Sequence, residues 1–208
     1  DVIAALSGLN SYKLKFTLAS QGATSGLAGM GNVGMEGTVI AKPSPASDLR
    51  MTLGGIPVPG ASAPASGTAL QVRLVQINGK TYMDLGSGKL IESTSEQLSS
   101  MAESLDPQKL LANVSGSLSQ MQPVGDEQKD GVAITHYKAD PQLLAAASAG
   151  LAKLGLADAT WNLDVWVAKD GGYPVAWVMQ GTGSNGSQMS ITLDISDVNS
   201  PSNVVQGP

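Results

Sequence analysis

The sequence predicts an α+β fold: a curved, mostly antiparallel β-sheet with helices covering its concave face. Three observations predict it. Two stretches read as hairpins around diagnostic turns, Asn78-Gly79 and Asp170-Gly171-Gly172, and each is apolar on one face only. Three other stretches carry helical apolar stripes behind Ser or Asp-Pro start signals. About nine strand-like segments run in sequence with the helices inserted between strand groups, the arrangement in which one apolar sheet face is covered by helices. The 208 residues read as a single domain, 1–208, long enough to bury about 70% of the unfolded surface.

Asp1 to Leu9 predicts a short amphipathic helix with Val2, Leu6 and Leu9 on one stripe. From Ser11 to Ser20 the period changes to two: Tyr12, Leu14, Phe16 and Leu18 alternate with Lys13, Lys15 and Thr17, a strand with one buried face. A Gly-rich loop, 21–34, precedes strands near Met35–Ala41 and Leu49–Leu53, and 55–68 is a long Pro/Ala/Ser loop. Asn78-Gly79 is the preferred two-residue type I′ turn. It places Ile77 opposite Lys80, Val75 opposite Tyr82, Leu74 opposite Met83, Arg73 opposite Asp84 and Val72 opposite Leu85, so Val72, Leu74, Met83 and Leu85 share an apolar face.

Ser93 with Glu96 forms a capping box before Leu98, Met101 and Leu105. Asp106-Pro107 starts a second stripe of Leu110, Leu111, Val114, Leu118 and Met121. Asp140-Pro141 starts a third, with Leu143, Ala147, Leu151 and Leu154, ending near Gly155. Between the last two, Gly131 to Ala139 reads as a strand. The Asp170-Gly171-Gly172 loop opposes Lys169 to Tyr173, Val165 to Trp177 and Leu163 to Met179. One face is then Trp161, Leu163, Val165, Val167, Val175, Trp177 and Met179. A two-residue loop would instead bury polar groups without partners, at about 1–3 kcal/mol each. Trp166 falls on the opposite face beside Ala176, where a partner or membrane contact, or cover by a terminus or loop, would account for it. In the last strand Met189, Ile191, Leu193 and Ile195 face in, while Gln188, Ser190, Thr192 and Asp194 face out.

Several chemistries lack the residues they need. A formal charge of −5 and no Lys/Arg cluster argue against a phosphate-binding surface, so no nucleic acid is expected as partner. There is no cysteine, hence no disulfide or thiolate chemistry. Gly29 to Gly34, G-M-G-N-V-G, matches the dinucleotide fingerprint in letters only, because a strand and not a helix is expected to follow. His136 is the single histidine; it is read as a strand residue satisfied by its neighbours, and Asp164 and Asp194 as solvated groups on outer sheet faces. No elbow presents a nucleophilic serine. Neither enzymatic activity, nor a metal, nor a cofactor is expected.

No run approaches the roughly 20 apolar residues that span a bilayer. The chain opens D-V-I-A-A-L with no basic region, so any signal peptide is expected to have been removed or to lie outside this sequence, and a lipid-modified cysteine, if one existed, with it.

Taken together, D-V-I-A-A-L-S-G-L-N-S-Y-K-L-K-F, V-Q-I-N-G-K-T-Y-M-D-L, D-G-V-A-I-T-H-Y-K-A-D and W-N-L-D-V-W-V-A-K-D-G-G-Y-P-V-A-W resemble, in order and spacing, the LppX/LprG-like lipoproteins of actinobacteria. These stand within the wider LolA/LolB-like lipoprotein-carrier superfamily. Each motif alone is a generic strand or turn; the resemblance lies in their succession over nearly the whole chain. It implies a half-barrel sheet wrapped over helices around a hydrophobic cavity that holds acylated lipid or glycolipid. It also implies an exported, monomeric protein of the cell envelope, anchored by an N-terminal lipid to the outer face of the cytoplasmic membrane.

The residues themselves leave two readings of the interior open. Small residues on the helices, A-A-A-S-A-G at 145–150 and S-G-S at 115–117, allow either close helix approach or an unfilled space opposite the apolar sheet. Eight Met and few aromatic rings suit an adaptable lining. If the space is unfilled, the expected lining from the strands is Leu14, Phe16 and Leu18; Val39; Met51 and Leu53; Val72, Leu74 and Met83; Trp161, Leu163 and Val165; Trp177 and Met179; and Ile191 and Leu193. The helices would add Leu98, Met101, Leu111, Val114, Leu118, Leu144 and Leu151. Exposing lipid to water costs about 0.8 kcal/mol per CH₂, on the order of 20 kcal/mol for two long chains. A greasy cavity removes that cost without any catalytic group. The loops at 21–34 and 55–68 are candidates for gating entry. A sensor domain of the same fold, binding a protein or peptide, is the competing function.

Overall fold

In the computed structural model, residues 2–22, 32–54, 69–93, 121–140, 144 and 159–208 are described, and among them eleven strands form one open, curved, antiparallel sheet. A short helix, α1 (Val2–Gly8), precedes β1 (Ser11–Gln21), β2 (Val33–Ile40), β3 (Ala46–Leu53), β4 (Leu70–Ile77), β5 (Lys80–Asp84) and β6 (Ile91–Glu92). Then come β7 (Gln122–Lys129), β8 (Val132–Lys138), β9 (Thr160–Ala168), β10 (Pro174–Thr182) and β11 (Gln188–Ser196). The spatial order is β6-β5-β4-β3-β2-β1-β11-β10-β9-β8-β7. The chain thus meanders outward from β1 to one edge, crosses to the other edge, and meanders back until β11 lies against β1. The first and last strands form the middle of the sheet, where Leu14 opposes Ile195, Phe16 opposes Leu193 and Leu18 opposes Ile191.

Eleven strands replace the nine expected. The two additions are the edge strands. β6 is two residues long, and β7 is exposed along nearly its whole length and shows no apolar alternation, so neither carries the periodic signal of a half-buried strand. β7 is poorly suited to pair with another sheet: it holds Pro123, an irregularity between Pro123 and Gly125, and the charges of Asp126, Glu127 and Lys129. The helices expected at 93–105 and 107–121 lie outside the described residues. Of the third, Leu144 is described: it is helical and buried, and its amide donates to the Asp140 carbonyl at 3.2 Å.

The Asn78-Gly79 hairpin has the expected register, Ile77 on Lys80 through Arg73 on Asp84, and both turn residues have positive φ, as a type I′ turn requires. The ladder stops at Asp84, however. Leu85 is 46% exposed and does not continue the buried face, because the chain turns away into the Gly86–Gly88 loop.

The Asp170 hairpin differs from expectation at its turn and agrees in its body. The amide of Ala168 donates to Tyr173 (2.9 Å) and Pro174 pairs with Val167, one position off the expected register. A bulge at Val175 then restores the expected pairs, Trp177 on Val165 and Met179 on Leu163. The extra residue turns Val175 to the other side of the sheet, where it joins Ile134, Ala168 and Trp166 in a small second cluster. Val175 is therefore not on the apolar face with Trp177.

Farther along this hairpin Trp161 lies flat on Gly181, its cross-strand partner. A Cβ on Gly181 would sit 2.7 Å from Cζ3 of the Trp161 ring. Since Trp161 is buried and cannot simply swing away, Gly181→Ala is expected to destabilise the protein by about 1–3 kcal/mol through overpacking. Urea unfolding, read as a shift in midpoint at constant slope, checks this.

Candidate functional site

The strand pleat sends alternate residues to one face, and on β1 to β5 and β9 to β11 those residues are apolar. They merge into one continuous buried cluster. Leu14, Phe16 and Leu18 of β1, Met51 and Leu53 of β3, and Val72 and Leu74 of β4 are all in it. So are Trp161, Leu163 and Val165 of β9, Trp177 and Met179 of β10, Ile191 and Leu193 of β11, and Leu144. Val39 and Met83 are only partly buried and pack against its margin. Leu98, Met101, Leu111, Val114, Leu118 and Leu151 lie outside the described residues, as do 23–31 and 55–68, the central parts of the two loops named as gates.

Further members of this face had a readable signal but were not named as lining. Met189 and Ile195 continue the β11 alternation, and Tyr12 begins that of β1. Val33 and Met35 open β2, where the preceding glycines obscure the start of the strand. Leu6 and Leu9, from α1 and just beyond it, join the same cluster, with α1 set against β10. The helical stripe of the first residues thus serves the same surface as the strands.

The opposite face is charged. Following the register across the sheet from β5 to β11, one row reads Asp84, Arg73, Arg50, Glu36, Lys15, Asp194. Two arginines directly opposite one another repel, and the structure answers this at Arg73. Its Nε and NH2 donate to the two Asp48 carboxylate oxygens at 2.9 and 2.7 Å. This hydrogen-bonded pairing raises the Arg73 pKa above its ordinary value, against the opposing effect of burial. A cleft of about 530 Å³ lies over this part of the sheet, and Lys15, Glu36, Arg50, Arg73 and Asp84 line it.

Asp84 ends the row and holds the following loop. Its carboxylate accepts from the Ser87 amide (2.7 Å), the Ser87 hydroxyl (3.0 Å) and the Gly88 amide (3.1 Å). Desolvation pushes its pKa up, but the hydrogen bonds of Ser87, Gly88 and Gly86 together outweigh it, and the pKa is lowered. A depressed carboxyl contributes stability that is present above the unfolded aspartate pKa and is lost as pH falls through the folded one. The amide shifts of Ser87 and Gly88 are therefore expected to titrate with Asp84 below the ordinary aspartate range. Titration within that range would show that the loop does not hold the carboxylate.

At the other edge the β7–β8 hairpin curls over the charged face. Lys129 of β7 pairs with Asp194 of β11, four strands away across β8, β9 and β10, and Lys169 pairs with Asp126 at 2.6 Å. Asp194 is thus paired and not simply solvated, because the curl brings Lys129 to it. His136 of β8 stacks on Trp166 with ring centroids 4.6 Å apart and an 8° interplanar angle. Its Nε2 lies 2.8 Å from Asp164 and its Nδ1 3.5 Å from Glu127. These contacts correct the solvated reading of Asp164 and bear out that of His136 as a residue satisfied by neighbours. They also account for Trp166 on this face. Among the described residues no group of three or more His, Cys, Asp or Glu is placed to hold a metal.

The structure of LprF from Mycobacterium bovis superimposes with a TM-score of 0.60 at 17% identity, covering 100% of this chain and 93% of that one, and the two share a fold. A LolA superfamily protein from Nitrosomonas europaea aligns over 100% of this chain and 93% of that one, at 10% identity and a TM-score of 0.27. No curated protein matches. The model of the LppX_LprAFG lipoproteins matches residues 4–204, nearly the whole sequence, and the chain therefore belongs to that family.

Proposed function

We propose that this chain binds acylated lipid or glycolipid in a hydrophobic cavity bordered by the apolar face of its sheet and by the segments in which the sequence predicts helices, and carries it between membranes. The observation that carries the reading is the continuity of that face, which runs across β1 to β5 and β9 to β11, while the opposite face carries a charged row and a small second apolar cluster. Its lining would be the strand and helix residues that the sequence predicts, with Met35, Met189 and Leu6 added. Apolar contacts of this kind favour hydrocarbon without committing to one geometry, and flexible Met side chains at positions 35, 51, 83, 179 and 189 adapt to chains of different length. Transfer from bilayer to cavity is nearly neutral in free energy, so lipid loads and leaves without any bond being broken and no catalytic group is called for. Membership of a lipoprotein family supports an exported protein of the cell envelope; we infer in addition a monomer held at the outer face of the cytoplasmic membrane by an N-terminal lipid anchor.

Native mass spectrometry of gently purified protein tests the proposal. Co-purifying acylated lipid is expected, and delipidated protein is expected to take up a fluorescent phospholipid from vesicles. A clean apoprotein mass with no uptake would leave a filled core or a sensor domain instead.

A further inference from the structure

We propose that the indole N–H of Trp177 is the polar anchor of the apolar face and donates a hydrogen bond to the carbonyl oxygen of an acyl ester in the bound lipid. The inference rests on the lipid-binding reading and sharpens it by naming the part of the lipid that is recognised. Trp177 is 1% exposed, and its Nε1 is fully buried with no hydrogen-bond partner among the described residues. Its cross-strand neighbours are Val165 and Leu193, and Met179 follows on the same face, so the side chains around it are apolar.

A buried donor without an acceptor is among the costlier features of a folded protein, and buried indoles ordinarily find a partner. A phenylalanine would supply an aromatic ring here without that cost. One other buried side-chain atom among the described residues lacks a partner, Asn203 Oδ1. It belongs to the C-terminal segment, where the same side chain donates to Ser11 and the Asp197 carbonyl, and it is not part of the apolar cluster. Trp177 Nε1 is thus, among the described residues, the buried unpartnered polar atom of the apolar cluster. An alkyl chain offers it nothing, whereas the ester that joins an acyl chain to its glycerol or sugar offers a carbonyl with two lone pairs. Such a bond would fix how deep each chain enters while leaving its length free, a division of labour usual in apolar ligand sites.

The test uses two lipids that differ in the carbonyl alone. Delipidated protein is equilibrated with vesicles containing equal amounts of dipalmitoyl phosphatidylcholine and its dihexadecyl ether analogue, and the bound ratio is read by native mass spectrometry. The wild type is expected to hold the ester form about tenfold over the ether, and Trp177→Phe to hold both equally with its circular dichroism unchanged. In protein carrying ¹⁵N-labelled tryptophan, one indole resonance is expected to move downfield with the ester lipid and not with the ether. That readout stands even if the variant folds poorly. A wild-type ratio near one, a preference that survives Trp177→Phe, or indole resonances indifferent to the carbonyl would overturn the anchor and leave lipid binding intact. Retention of neither lipid would overturn both.

Discussion

Gly37→Ala is expected to destabilise the protein by about 3 kcal/mol, at the upper end of the usual range for a point substitution. Gly37 lies on β2, with Leu14 of β1 on one side and Leu49 of β3 on the other. A Cβ built there would sit 1.9 Å from the Asp48 carbonyl oxygen and 2.9 Å from both the Asp48 carbonyl carbon and Leu49 Cα. All three are backbone atoms, so no side chain can yield. β3 is also held in place, because the Asp48 carboxylate clamps Arg73 of β4. Accommodation must part β2 from β3, breaking ladder bonds and disturbing Val39 and Leu49 at the margin of the apolar cluster. For a chain of this length 3 kcal/mol corresponds to a fall in Tm of roughly 6–12 °C. Gly79→Ala is the control. Its Cβ would meet nothing within 4 Å, and only the left-handed backbone at φ 73° opposes it, at about 1 kcal/mol. Equal melting temperatures for the two variants would show that the close approach at Gly37 relaxes freely.

What the sequence revealed and what it hid divide along physical lines. One-sided strands were legible because burial imposes a period of two, and Leu14-Phe16-Leu18 or Met189-Ile191-Leu193-Ile195 can satisfy it in one way only. The Asn78-Gly79 register was legible because two successive positive φ values select those residues. The Asp170 turn was misread for a related reason. Apolar alternation fixes the pairing of Leu163 with Met179 but does not reveal that a bulge at Val175 separates them from the turn. β7 was missed because an exposed edge strand carries no apolar alternation, and the charge pairs of Asp164 and Asp194 were missed because they join strands distant in sequence. The apolar face followed the same rule. Its strand residues were named, whereas the unpartnered N–H of Trp177 emerges only from its three-dimensional surroundings.

Val165→Trp separates a ligand cavity from a filled core. Val165 is 1% exposed and stands in the apolar face between Tyr137 of β8 and Trp177 of β10. If the interior is packed solid, an indole in place of an isopropyl group forces off-rotamer side chains and backbone shifts, at about 1–3 kcal/mol or more. Thermal stability should then drop, and lipid uptake, absent beforehand, has nothing to lose. If the face borders a cavity large enough for acyl chains, the ring projects into space that ligand would otherwise fill. The expected outcome is a folded circular dichroism spectrum, a Tm within about 4 °C of wild type, corresponding to ~1 kcal/mol for a chain of this size, and at least a tenfold loss of fluorescent-lipid uptake. Leu163→Trp, two residues along the same face and fully buried, is expected to behave alike. The opposite pattern, a large loss of stability with uptake unchanged, would show that hydrocarbon does not bind against β9.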